Sequence, residues 1–246
     1  MKILLTNDDG INAPGLAALC RAVGRSHTVY VVAPDRNKSA CGHSLTMSVP
    51  IIHKSAKLEG SYAAYSVSGT PADCVKYAIL ELFGHNYFDL VLAGINSGPN
   101  LGTDIMYSGT ASAAFEGAYM GLKAIATSYC DWNATGKDFV APAKFVADNL
   151  DALVPMVSQG GILNINIPHS PKGYKITSIG INQYNDRYEG DDSGKMLVGD
   201  MVPHKDNIED CDVVWISKGY TTISPATMDR NDYRALEVLR DTKLRF

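Results

Sequence analysis

Short apolar runs alternate with helical stretches through the first two-thirds of the chain, and this alternation restricts the fold more than any other feature. The runs at 2–6, 28–33, 89–93, 124–128 and 162–167 are aliphatic and β-branched, as buried strands require. Between them, 13–24, 72–83, 111–121 and 140–158 carry apolar residues at helical spacing. Strands separated by helices imply a parallel sheet covered on both faces and joined by right-handed crossovers. Asn12 is the expected N-cap of the first helix, with Pro14 in its first turn.

Two segments break the rhythm. Residues 44–68 read as a β-hairpin with its turn near Glu59-Gly60, inserted between strand and helix. After 168 a strand at 174–181 precedes a polar loop through Asp191-Asp192-Ser193-Gly194. Asp210 is the expected cap of a short helix ending at Gly219, followed by a strand at 220–224 and a polar helix or arm over 229–243. The expected division is a core over 1–168 and an extension over 169–246. The extension has too few apolar residues for a core of its own and should pack on the main body or on another subunit.

Composition excludes several classes. At 246 residues, 46% hydrophobic and 20% charged, the chain is long enough for a sizeable core. A net charge of −4 with no basic tract leaves no electrostatic footprint for nucleic-acid polymers or anionic membranes. Five scattered cysteines without a CxxC pair argue against a disulfide framework and a structural zinc site. With no signal-peptide pattern and no apolar run long enough to span a bilayer, the expected location is the cytoplasm.

The chemistry gathers where the strands end, which is where ligands bind in open α/β sheets. The first strand empties into Thr6-Asn7-Asp8-Asp9-Gly10. Adjacent aspartates repel unless something positive lies between them, and a hard divalent cation suits oxygen ligands. By itself the stretch reads equally well as a solvated acidic turn. The strand at 89–93 leads into a loop of small residues, with Asn96 a candidate metal ligand. Ser108, Gly109 and Thr110 stand before the alanine-rich helix, where free N–H groups favour phosphate. A third loop after 28–33 offers Arg36 and Lys38 as phosphate contacts and Ser39 as a hydroxyl ligand, or simply a polar turn. His43 is a candidate general acid or an ordinary structural histidine, and Asp73 and Glu116 are candidates for capping or pairing with lysines.

NDDG, APGL (13–16), APDRNKSA (33–40), GTPADCVKYA (69–78), GINSGPNLG (94–102), YSGTASAAFEGA (107–118) and LNINIP (163–168) together resemble the SurE family of stationary-phase survival proteins. The resemblance implies a Rossmann-like parallel sheet flanked by helices with a β-rich C-terminal extension, assembled as a homodimer or homotetramer by tail exchange. It implies a divalent-metal-dependent phosphatase for nucleoside 5′- and 3′-monophosphates, with some activity on short polyphosphate. Carried over by motif, one magnesium or manganese ion per subunit would be held by Asp8, Asp9, Ser39 and Asn96. Asn96, Ser108, Gly109 and Thr110 would hold the phosphate, and Asp8 or Asp9 would orient or deprotonate the attacking water.

Other readings fit less well. A haloacid-dehalogenase-type phosphatase needs a second aspartate two positions after Asp8, where this chain has Gly10. The GxxxxGK[ST] string of a P-loop NTPase and the GxGxxG of a dinucleotide oxidoreductase are missing. A nucleotide-binding stress module without turnover, or a phosphatase for another small phosphomonoester, are the remaining alternatives.

Overall fold

The computed structural model describes residues 1–242. Its centre is a nine-stranded sheet. β1 (Lys2–Thr6), β2 (Thr28–Pro34), β4 (Ala63–Val67), β5 (Leu90–Ser97), β6 (Lys123–Tyr129) and β7 (Gly161–Ile167) run parallel in the spatial order β4-β2-β1-β5-β6-β7. β1, β2 and β5–β7 are buried along almost their whole length, which is why they read as largely apolar runs, with the buried asparagines Asn164 and Asn166 of β7 the clearest departure.

Each face of the sheet has its own core. Ile3, Leu5, Val31 and Leu92 pack with Leu16, Leu19, Val146 and Leu150 of α1 (Pro14–Val23) and α4 (Val140–Leu153). Leu4, Val32, Val91 and Ala93 pack with Cys74, Val75, Ala113 and Ala114 of α2 (Pro71–Tyr77) and α3 (Gly109–Tyr119). This α/β architecture is the expected one, with differences at its edges.

The segment over 44–68 contains β3 (His53–Ala56), antiparallel to β4, and β4 in turn pairs with β2. The hairpin is therefore the edge of the main sheet. Of the strand expected at 174–181, only β8 (Tyr174–Ile176) forms. The expected polar loop is instead two strands, β9 (Gln183–Asp191) and β10 (Gly194–Val202), paired antiparallel over their full length. β11 (Thr221–Thr227) is antiparallel to β7 and parallel to β8, so the C-terminal segment completes the main sheet.

Two capping expectations are corrected. Ala13, not Asn12, is the N-cap of α1, because Pro14 opens the helix and the chain enters it extended at Ala13. Cys211, not Asp210, is the N-cap of α5 (Asp212–Ser217), with no side-chain cap. The tail forms α6 (Tyr233–Arg240), capped by Asp232 and without a buried residue; position 243 of the expected arm lies outside the described residues. Among the described residues no helix is long and apolar enough to cross a membrane.

Candidate active site

Parallel strands bring the turns after β1, β2, β5 and β6 to one edge of the sheet, together with the N-termini of α2 and α3. Three contacts gather the expected residues there. The Lys38 N–H donates to the Asp8 carbonyl (2.7 Å), which seats the turn carrying Ser39 beside the aspartates. The Ser97 N–H donates to Asp9 Oδ2 (3.3 Å), joining the end of β5 to the pair. The Thr110 hydroxyl donates to Asp8 Oδ1 (2.5 Å), joining α3.

Asp8 is almost fully buried. Burial pushes its carboxyl above the ordinary value, and the Thr110 hydroxyl with the backbone amides of Asp8, Thr110 and Gly109 draws it partly back. The positive end of α3 therefore faces this carboxylate. Gly109 allows the approach, since a Cβ there would lie 2.7 Å from Asp8 Cβ. Asp9 is half-buried, and burial together with the neighbouring Asp8 charge pushes it up to about 6. Among the described residues neither carboxylate forms an ion pair.

Asn96 is buried, and its Nδ2 donates to the Gly98 carbonyl (2.8 Å), leaving the amide oxygen for a ligand. It lies on β5, which runs through 94–97 where a loop is expected; a register irregularity between Ala93 and Asn96 admits the small residues. Ser39 is exposed on its turn, with its N–H bonded to Asn37 Oδ1 (2.7 Å). The Ser108 hydroxyl caps α3 by accepting the Ala111 N–H (3.0 Å). Among the described residues no group of three or more His, Cys, Asp or Glu is placed to hold a metal ion. The candidate set is two carboxylates with a hydroxyl and an amide, all oxygen donors. An unneutralised aspartate pair among such donors fits a hard divalent cation.

A cleft of about 370 Å³ opens beside Asp9, lined by Asn12, Arg36, Asn37, Ser97 and Phe139. On the other side the chain after Ser39 is strapped down. Gly42 N–H donates to the Tyr107 carbonyl (3.0 Å), the Thr70 hydroxyl donates to the Ser44 carbonyl (2.7 Å), and Thr46 N–H donates to Asp73 (3.0 Å). Asp73 also completes a capping box with Thr70 at the start of α2. His43 Nε2 lies 2.7 Å from Glu116 Oε2, and Lys76 Nζ lies 2.5 Å from Glu116 Oε1. Burial alone would raise the Glu116 carboxyl, but hydrogen bonds from His43 and Lys76 hold it below the ordinary value. The pairing of Glu116 with a lysine matches the sequence expectation, while its bond to His43 is new.

One network escaped sequence reasoning. The Asn100 carbonyl accepts from Asn164 Nδ2 (2.8 Å) and Asn166 Nδ2 (3.0 Å), and the Asn100 N–H donates to Asn166 Oδ1 (2.8 Å). It ties the loop after β5 to β7. The only signal was asparagine within an otherwise apolar strand, which suits a buried hydrogen-bonding role but names no partner.

The Survival protein SurE family model matches residues 3–186. A curated relative from Syntrophomonas wolfei, named 5′-nucleotidase SurE, is 42% identical over 255 aligned residues, covering 100% of this chain and 96% of the relative. A relative of the same name from Pseudothermotoga lettingae is 39% identical, covering 99% of this chain and 95% of the relative. The crystal structure of the SurE protein from Aquifex aeolicus superposes with a TM-score of 0.82 at 34% identity, covering 98% of each chain. Motifs, fold and full-length similarity agree, and the chain belongs to the SurE family.

Proposed function

We propose that this chain is a divalent-metal-dependent phosphatase that hydrolyses nucleoside 5′- and 3′-monophosphates to nucleoside and phosphate, with short polyphosphate as a further substrate. The observation that carries the reading is the Asp8–Asp9 pair at the sheet edge, with Asp8 in contact with the N-terminus of α3. The names of the relatives, 5′-nucleotidase SurE, support nucleotide 5′-phosphates as substrates.

Asp8, Asp9, Ser39 and Asn96 are the proposed ligands of one magnesium or manganese ion per subunit. A bound divalent ion supplies charge neutralisation at the phosphoryl oxygens and lowers the pKa of water. Asn96, Ser108, Gly109 and Thr110 hold the phosphate at the start of α3, where N–H groups and the helix dipole oppose the charge that develops on the equatorial oxygens. Asp8 accepts from Thr110 on one oxygen, whereas Asp9 lines the cleft, and this difference supports Asp9 as the carboxylate that orients and deprotonates water. Arg36, also on the cleft and paired there with Asp35 (3.7 Å), is the guanidinium proposed to meet the phosphate. The division of labour is a chemical core over 1–168 and an oligomerisation arm over 169–246. Support for assembly comes from Tyr188, Met196 and Leu197 on the β9–β10 pair and Val238 and Leu239 on α6, all exposed. A homodimer or homotetramer fits these features.

The test is phosphate release from 5′- and 3′-mononucleotides, short polyphosphate and an aryl phosphate, each with magnesium, manganese or EDTA. Metal-dependent release that favours nucleotides and is lost in Asp8→Ala supports the reading. Turnover of the aryl phosphate alone reassigns the substrate, and no release under any metal makes the chain a binding module.

A further inference from the structure

We infer that Trp132 is the stacking platform for the base of the substrate, an inference that rests on the nucleotide phosphatase reading and assigns its specificity element. The chain has two tryptophans. Trp215 is packed edge-on against Tyr220 with Lys175 and Lys218 over its ring. Trp132 has neither kind of partner among the described residues, and it is 72% exposed.

Exposure alone carries little, because single apolar side chains are common on surfaces. The seat of this indole carries more. Its six-membered ring lies directly on Gly98, where a Cβ would be 2.2 Å from Cε3 and 2.3 Å from Cζ3. Gly98 also has φ +100°, so both its conformation and the ring above it call for glycine. The backbone beneath the ring is pinned to β5. Gly98 N–H donates to the Tyr129 carbonyl (2.9 Å), and the Ser97 hydroxyl donates to the Asp131 carbonyl (3.0 Å). Asn133 N–H donates to Asp131 Oδ1 (2.8 Å) and closes the turn.

The same short segment reaches the phosphate end of the site. Ser97, one residue before the ring contact, donates its N–H to Asp9 Oδ2, and Asn96 bonds the Gly98 carbonyl. One face of the indole is thus covered by backbone and the other is open, within a residue or two of the proposed metal ligands. A planar aromatic already fixed before binding loses little freedom when a flat ligand stacks on it. Every nucleobase has such a π-face, so the platform accepts purines and pyrimidines and favours the larger purines. A base-free phosphomonoester gains nothing from it.

The test uses the full-length protein with AMP and ribose 5-phosphate. Trp132→Ala lowers the ratio of kcat/KM for AMP to that for ribose 5-phosphate by about 5- to 150-fold, mainly through KM, the range for loss of one stacked base. Trp132→Phe largely restores that ratio. Independently of turnover, adenosine quenches tryptophan emission of the wild type and does not quench Trp132→Phe, in which Trp215 is the remaining emitter. An unchanged ratio in Trp132→Ala, or quenching that persists in Trp132→Phe, overturns the inference. If the wild type releases phosphate from neither compound, the phosphatase reading has failed, and the adenosine titration still decides whether Trp132 stacks a base.

Discussion

Gly109→Ala puts the packing between α3 and the aspartate pair to a quantitative test. The added Cβ would lie 2.7 Å from Asp8 Cβ, 2.9 Å from Asp8 Oδ2 and 3.1 Å from Pro71 Cγ. Asp8 cannot swing aside freely, because it is buried and its carboxylate is held by Thr110. Either α3 or the β1 turn must shift. Overpacking of this kind costs about 1–3 kcal/mol. Replacing glycine by alanine at a compatible backbone position returns about 0.4–1 kcal/mol through the unfolded chain. The net expectation is a loss of about 0.5–2 kcal/mol, with the melting temperature falling roughly 2–4 °C for each kcal/mol in a chain of this size. Urea titration in EDTA reads the stability, and manganese-dependent phosphate release from AMP reads the site. Displacing a reacting group by about 1 Å can cost on the order of 100-fold in rate, so activity should fall far more than stability. A variant as stable as the wild type and equally active would falsify the claim that Gly109 is required by its approach to Asp8.

Four further variants have expected outcomes. Asp9→Asn should raise metal-free stability at pH 7 by about 1–3 kcal/mol while abolishing turnover. The folded carboxyl titrates near 6 against an ordinary 3.8, so the native state holds more protons in that window and wild-type stability falls as pH rises through it; urea titrations at several pH values should show this slope flattened in the variant. Glu116→Gln should cost about 1.5–3 kcal/mol at pH 7, because it removes the charge and replaces one of the two oxygens that face Lys76 and His43 with an NH2 donor. Because the folded Glu116 carboxyl lies below its ordinary 4.5, its contribution is present above that value and is lost as pH falls below it, and an acid limb as steep in the variant as in the wild type refutes the assignment. Gly15→Ala should destabilise by about 3 kcal/mol or more, since its Cβ would meet the Ile95 carbonyl oxygen at 2.1 Å and backbone has no rotamer with which to yield. Gly136→Ala, whose nearest neighbour is Pro14 Cβ at 3.9 Å, should stay within about 0.5 kcal/mol in the same melts.

The sequence by itself determined the α/β architecture and marked the sheet edge on which the candidate site lies. Strands buried on both faces are mostly apolar, so β1, β2, β5, β6 and β7 stand out against the amphipathic helices between them. Asp8 and Asp9 stand out for a complementary reason: two adjacent carboxylates repel at the end of a buried strand, which suits a cation between them as well as a solvated turn, and only the burial of Asp8 against the start of α3 favours the first. β9 and β10 were illegible because they are exposed on both faces, so no alternation of apolar and polar residues marks them, and only their pairing with each other makes them strands. The caps of α1 and α5 were misread because N-cap preference is a local tendency that the entering backbone overrides. Tertiary structure alone decided the long-range polar contacts. Glu116 lies 73 residues from His43 and 40 from Lys76, and Asn100 lies 66 from Asn166. Hydrogen bonds need partners within about 3 Å, and sequence records which groups can bond but not which ones folding brings within reach.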